Sequence, residues 1–412
     1  MRSTALSGLR ICDFTGQLAG AGATRILAAF GAEVIRIEDP VRQGRWDVMR
    51  GSPPFVDERR GIEFGGLFNN HNVEKLGVTI NLRDERGREL VRRLVAISDV
   101  VTENFAAGVL ARHGFDWDGL RAIKPEIIYV SNCGFGHSGP YAPFKTWGPV
   151  VQAMTGLTFG SGLPGMEPAG YGCSYMDHTG AYYMAIAVLM AVVHRNRSGR
   201  GQWIDMAATE AGAALNGPAL LDATVNGRPL RRTGMPHSNR SLHPRRAPHG
   251  IYPTRGEDAW IAIACRNDEE WRTLTRLIDT DWARDPAFAH LADRLRREDR
   301  LDEQLAGWTA GRDRFELEQQ ISRAGVPAAA VRRPEERIEN DPRTSSWGLF
   351  PEVRHPDIGK VRVDGLPIRL SRTDWSIRRG APRLGEHNAY VLGELLGVSA
   401  EELETLRIEG VV

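Results

Sequence analysis

LRICDFTGQLAGAGATRILAAFGAEVIRI, residues 9–37, is the stretch whose reading decides the fold. Leu9–Phe14 is a short apolar run, Ala23–Phe30 repeats its apolar residues at helical spacing, and Glu33–Ile37 alternates. Gly31 stands where a helix C-cap belongs. Strand, helix and strand in that order form the opening unit of a parallel sheet. Gly20 and Gly22, with Glu38 and Asp39 closing the second strand, approach a dinucleotide fingerprint. Arg25 occupies the place of its third glycine, so the small residues are read as packing a helix onto a sheet.

Outward from this unit the alternation continues. Val78–Leu82 is strand-like, Glu85–Ile97 is an amphipathic helix, and Asp99–Glu103 and Ile127–Ser131 add strands. Glycine takes over in Phe159–Cys173, which predicts a loop. A buried helix is expected over Gly180–His194, then a strand at WIDMAA. Arg228–Gly250 reads as a linker and Ile251–Val331 as a smaller α+β unit opened by the strand WIAIAC. The tail, Val353–Val412, has a short β region and a final helix over Ala389–Leu396. The expected class is α/β: a Rossmann-like large domain from residues 1–225, a small α+β domain from 226–330, and 331–412 returning to the large domain.

Composition narrows the function. The 412 residues are 42% hydrophobic and 25% charged, as in globular proteins, and a formal net charge of +1 argues against nucleic acid as a partner. Lysine occurs only at Lys75, Lys124, Lys145 and Lys360. Cys12, Cys133, Cys173 and Cys265 are far apart, which favours reduced thiols over a disulfide framework or zinc site. The first residues lack the apolar stretch of a signal peptide, and Ala181–Val193 falls short of the roughly 20 residues of a membrane span. A soluble, cytoplasmic protein without membrane contact is expected.

Asp177 lies at the mouth of the glycine-rich loop, just before the apolar helix. Aspartate is a favoured N-cap, and a helix N-terminus also stabilises the ionised carboxylate that covalent catalysis needs. His237, His243 and His249 are six apart in a proline-broken segment, so no helical metal site is expected. The nearest approach to a hydrolase elbow, GHSGP around Ser138, has proline where the second glycine belongs.

Seven stretches, in this order, carry a resemblance that covers nearly the whole chain. They are residues 6–38, LVRRLVAISDVVTENFAAGVLARHGFDWDGL, PEIIYVSNCGFGHSGPY, the Asp177 segment with SGRGQWIDMAATEA, APHGIYPTRGEDAW, AGVPAAAV and LGEHNAYVLGELLG. The chain resembles the family III CoA-transferases (the CaiB/BaiF type), which include formyl-CoA and carnitine CoA-transferases and, as a branch, α-methylacyl-CoA racemases.

The resemblance implies that Asp177 attacks an acyl-CoA thioester and passes through an anhydride and an aspartyl-CoA thioester, transferring CoA between carboxylic acids. It implies CoA contacts at Leu18, Ala19, Asn72, Lys75, Asn104, Phe105, Arg112 and Lys145. It implies acyl-CoA and carboxylic acids as small-molecule partners, an interlaced homodimer, and no metal or redox cofactor. Compact cations at Lys75 and Lys145 would suit the phosphates of CoA.

Some features depart from the family pattern. Asp39 stands where a basic residue is usual, the Asn–Lys pattern is stretched to NHNVEK, and the consecutive glycines of formyl-CoA transferases are missing. The racemase branch places a histidine base where this chain has Trp147, which cannot take a proton, so transfer is favoured over racemisation. A non-catalytic CoA-binding subunit is the other alternative. Trp147, Phe159, Tyr171 and Tyr175 hint at an acyl group larger than formyl.

Overall fold

A computed structural model describes residues 4–163 and 165–412. Two compact units are formed, one from residues up to 159 with 170–226 and 343–412, the other from 160–169 and 227–342.

The first unit is built on six parallel strands: β1 (Arg10–Asp13), β2 (Glu33–Glu38), β3 (Leu76–Thr79), β4 (Val100–Glu103), β5 (Ile128–Cys133) and β6 (Trp203–Ala207). Their order in the sheet is β3-β2-β1-β4-β5-β6. The helices are α1 (Ala19–Ala29), α2 (Gly66–His71), α3 (Glu85–Ala96), α4 (Trp117–Ile123), α5 (Gly148–Met154), α6 (Tyr175–Ser198), α7 (Ala208–Leu215) and α8 (Gly217–Asn226).

Side chains alternate across each strand, and both faces are buried. Ile11, Val34, Val100 and Ile128 point to one face, where they meet Leu27 of α1 and Met184 and Val188 of α6. Their neighbours Cys12, Ile35, Val101 and Tyr129 point to the other, against Leu90 and Leu94 of α3. Each fully buried Val, Leu or Ile contributes roughly 1.5–3 kcal/mol, which is why these strands read as continuous apolar runs.

Helix α1 begins at Ala19, four residues before its apolar periodicity starts. Gly22 sits where a Cβ would come within 3.1 Å of the Ala181 Cβ, so glycine here lets α1 and α6 touch. The final segment closes the free edge of β3, as edges require. The Gly77 N–H donates to His387 Nδ1 at 3.1 Å and the Thr79 N–H to Asn388 Oδ1 at 2.9 Å. Ala389–Leu395 is helical as expected, and a further helix follows at Ala400–Ile408, where Ser399 Oγ accepts from the Glu402 N–H at 3.1 Å.

Two expectations need correction. Helix α6 begins at Tyr175 with Ser174 as its N-cap, so Asp177 lies inside the first turn and is not the cap. Nor is α6 buried all round. Met184, Ala185, Val188 and Ala191 pack inward, whereas Ile186 and Met190 on the outer face are 53% and 67% exposed. This is the one helix among the described residues long and apolar enough to cross a membrane.

The second unit has a three-stranded antiparallel sheet in the order Ala328–Ala330, Trp260–Ala264, His249–Pro253. Helices Asp268–Ile278, Glu298–Ala310 and Arg314–Arg323 belong with it, and Trp271, Phe288, Leu301, Leu305 and Ile321 form its core. The segment read as a linker holds a short hairpin, Ser241–Leu242 with Arg245–Arg246.

Candidate active site

Strand β1 leads leftward to β2 and β4 leads rightward to β5, so the loops leaving their C-terminal ends part and open a crevice. A cavity of about 430 Å³ lies there. Gln17, Leu18 and Ala19 after β1, Asn104, Phe105 and Ala106 after β4, and Cys133 and Gly134 after β5 form its walls. Lys145, Trp147 and Gly148 approach from the α5 side, and Asp177 from the first turn of α6.

The crevice walls are fixed to each other. The Gly16 N–H donates to Asn104 Oδ1 at 2.8 Å, and Asn104 Nδ2 donates back to the Gly16 carbonyl at 3.0 Å. A Cβ at Gly20 would fall 2.5 Å from the Thr15 Cβ, so the turn into α1 tolerates no side chain. Trp46 packs on Phe105 with ring centroids 5.0 Å apart and the planes tilted by 52°.

The Asp177 carboxylate is half-buried and rests against the Gly148 backbone. A Cβ at Gly148 would lie 2.8 Å from its Oδ2 and 3.1 Å from its Cγ. Burial raises the Asp177 pKa above the ordinary carboxylate range, while His178 and the Ser174 hydroxyl pull it down. Burial thus disfavours the ionised carboxylate, while the neighbouring His178 and Ser174 favour it.

Leu18, Ala19, Asn104, Phe105 and Lys145 line the same cavity as Asp177. Lys145 is exposed and makes no ion pair among the described residues. Arg112 is exposed on the turn after β4, outside the lining.

Asn72 and Lys75 are elsewhere, and the expectation of CoA contacts at both is corrected. Lys75 is fully buried, donating to the Ala21 carbonyl at 3.0 Å and Asn72 Oδ1 at 2.9 Å, with Asp13 at 3.5 Å. Asn72 in turn accepts from Arg36 at 3.1 Å. Loss of solvation brings the Lys75 pKa down to about 8. This lysine clamps α1 to the sheet and cannot reach a phosphate. Glu38 is likewise turned inward, 2.6 Å from the buried Arg50, so it is not free to hold a ribose. Phe159, Tyr171 and Tyr175 do not line the cavity, whereas Trp147 does.

The sequence reading missed Trp46, Cys133, Phe144 and Gly148 as wall residues. It also missed a buried polar group behind the wall. Glu103, at the end of β4, accepts from the Phe105 N–H at 2.7 Å and lies 3.3 Å from His137 Nε2. The neighbouring Cys133 and Glu103 side chains push the His137 pKa up to about 10, although Nε2 makes no well-aligned hydrogen bond. Nothing in the spacing of Glu103, Cys133 and His137 signals this, because the sheet alone brings them together.

Size does not mark the site. A cavity of about 640 Å³ in the second unit is lined mainly by apolar side chains and backbone, with His249 as its one titratable group among the described residues.

The family model for CoA-transferase family III matches residues 6–388 of this chain. Succinyl-CoA–D-citramalate CoA-transferase of Chloroflexus aurantiacus is 32% identical over 408 residues, covering 99% of this chain and 98% of its own. Succinate–glutarate CoA-transferase of Agrobacterium fabrum is 32% identical over 396 residues, covering 96% of each chain. A formyl-CoA:oxalate CoA-transferase of Streptomyces coelicolor is 30% identical over the full length of both. Among solved structures, a CaiB/BaiF family protein from Brucella suis superposes with a TM-score of 0.85 at 32% identity, covering 96% of this chain and 100% of that one.

Proposed function

This chain belongs to CoA-transferase family III and is a CoA-transferase, and from that premise we propose that it exchanges CoA between two carboxylic acids with Asp177 as covalent nucleophile. The observation that carries the reading is the half-buried Asp177 carboxylate opening into the crevice between β1 and β4. Its oxygen attacks the thioester carbonyl of the donor, the C–S bond breaks, and CoA leaves as the thiolate. That thiolate attacks the Asp177 carbonyl of the resulting anhydride and releases the donor acid. The acceptor carboxylate then attacks the aspartyl-CoA thioester, freeing CoA thiolate again beside a second anhydride. Attack of the thiolate on the acceptor's acyl carbon forms the new thioester and restores Asp177. Each step replaces one hard exchange with an easier acyl transfer.

The lining supports transfer over racemisation. It holds one carboxylate and no histidine among the described residues, and Trp147 stands where the racemase branch places its histidine base. The names of two relatives at 32% identity, which specify succinyl-CoA with D-citramalate and succinate with glutarate, support short dicarboxylic acids as the first substrates to try. A panel of acyl-CoA donors against such acids, read by mass spectrometry, should give a new thioester only when both partners are present. Deuterium uptake at the α-carbon without an acceptor acid would instead establish the racemase.

Lys145 is assigned to the CoA phosphates. Replacing Lys145 with alanine should weaken CoA binding about tenfold, with a much smaller effect on a dephospho analogue, and leave the melting temperature unchanged. Equal affinity of wild type and variant for CoA would remove Lys145 from the site.

The outer face of α6 favours a dimer. Tyr182, Tyr183, Ile186, Leu189, Met190 and Val193 are all exposed in the single chain and form a continuous apolar strip that water solvates poorly. A homodimer that buries this strip, interlaced as in the family, should persist on dilution in light scattering. A folded monomer would contradict it.

A further inference from the structure

A second cavity, about 330 Å³, lies where α1, α6 and the segment 349–367 meet. Arg25 of α1 lines it and is only 7% exposed. Its Nε and Nη2 are buried and have no hydrogen-bond partner. Buried guanidinium N–H groups left without acceptors are costly, and a bound anion would complete them. The two free nitrogens are adjacent on one edge of the guanidinium, the fork that matches the two oxygens of a carboxylate.

The neighbours leave this edge open. Asp364, also in the lining, acts on Arg25 through its charge but does not hydrogen-bond to it. Its Oδ2 accepts from Asn70 Nδ2 at 2.7 Å, and its own N–H donates to Asn70 Oδ1 at 2.8 Å. His71 lies 3.0 Å from the Leu67 carbonyl through Nδ1, with the His178 ring 5.8 Å away. Arg25 is the only arginine or lysine among the described lining residues.

We propose that this cavity binds the carboxylate of a small organic acid side-on at Arg25, as a site separate from the cavity that holds Asp177. His178 lies in its lining directly after Asp177 in sequence, so the two cavities share the first turn of α6. The proposal does not depend on the covalent role of Asp177.

The test is calorimetric titration of malonate into the protein saturated with CoA. A short diacid can also enter the Asp177 cavity, so the event assigned to this cavity is the one that Arg25→Gln weakens and Asp177→Asn leaves in place. Saturable binding with a component sensitive to Arg25 is expected. Burial holds the His71 pKa down at about 4, and a bound carboxylate should raise it, visible in the ring resonances of ¹³C-labelled histidine. Arg25→Gln should weaken malonate about tenfold or more, and Arg25→Lys less, because lysine keeps the charge and loses the fork. Asp364→Asn should tighten binding by removing a negative charge, and this variant decides the matter if Arg25→Gln does not fold. The proposal is overturned by absent malonate binding, by equal affinity in Arg25→Gln, or by unchanged affinity in Asp364→Asn. Tighter binding of inorganic phosphate than of malonate would also overturn it, as would a crystal structure in which a carboxylate of a second copy of the chain occupies Arg25.

Discussion

Asp177→Asn should abolish CoA transfer, by on the order of 10³-fold or more, while making the folded protein more stable. The two effects share one cause. Burial raises the Asp177 pKa, so the folded state bears a cost for holding the group ionised that the unfolded chain does not. The sign follows from linkage. A carboxyl whose folded pKa lies above its unfolded value, about 3.9, favours folding only where it is protonated. The penalty opens as pH rises through the unfolded value and is complete above the folded one. Asparagine carries no charge to desolvate, so the stability gap in favour of the variant should be present at neutral pH and close in acid. Thermal unfolding at several pH values, alongside a transfer assay, checks both parts. A folded Asp177→Asn variant with full activity would remove the nucleophile, and one less stable than wild type at neutral pH would show that the carboxylate serves the fold.

Gly148→Ala should lower kcat/KM about 100-fold with little loss of stability. The Gly148 backbone φ is not in the left-handed region, so alanine suits the local chain. Its Cβ would lie 2.8 Å from Asp177 Oδ2, closer than such atoms approach, and the neighbour able to give way is the carboxylate itself. The Asp177 carboxylate would be displaced by a fraction of an ångström to about an ångström, and reactions between held groups are steep in that distance. CoA affinity should change far less than kcat, because Lys145 is untouched. Unchanged kcat in a folded Gly148→Ala protein would mean that the position of Asp177 is not critical to the reaction.

Both predictions rest on contacts of different legibility. The alternation of β1, β2, β4 and β5 could be read because both faces of each strand are buried, and hydrophobicity records burial directly. The start of α1 could not, because Gly20 and Gly22 resemble a loop until Asn104 and Ala181 are placed against them. Asp177 stood out beside its glycine-rich loop, yet its place within the first turn of α6 depends on Ser174, a favoured N-cap type three residues earlier that the sequence alone does not rank above Asp177. Lys75 misled for a physical reason. A lysine is expected at the surface, and only the fold reveals Asp13 and the Ala21 carbonyl beneath it. Gly148 bears on chemistry solely through a residue 29 positions later in the chain, a relation that no local pattern records.

The central claim, covalent chemistry at Asp177, is tested most directly by intact mass spectrometry of the enzyme incubated with a donor acyl-CoA, followed by hydroxylamine and peptide mapping. The account predicts an adduct equal to CoA less one water, cleaved by hydroxylamine to leave a hydroxamate at Asp177 and missing from Asp177→Asn. A hydroxamate on any other residue, or active transfer with no adduct in either protein, would contradict it.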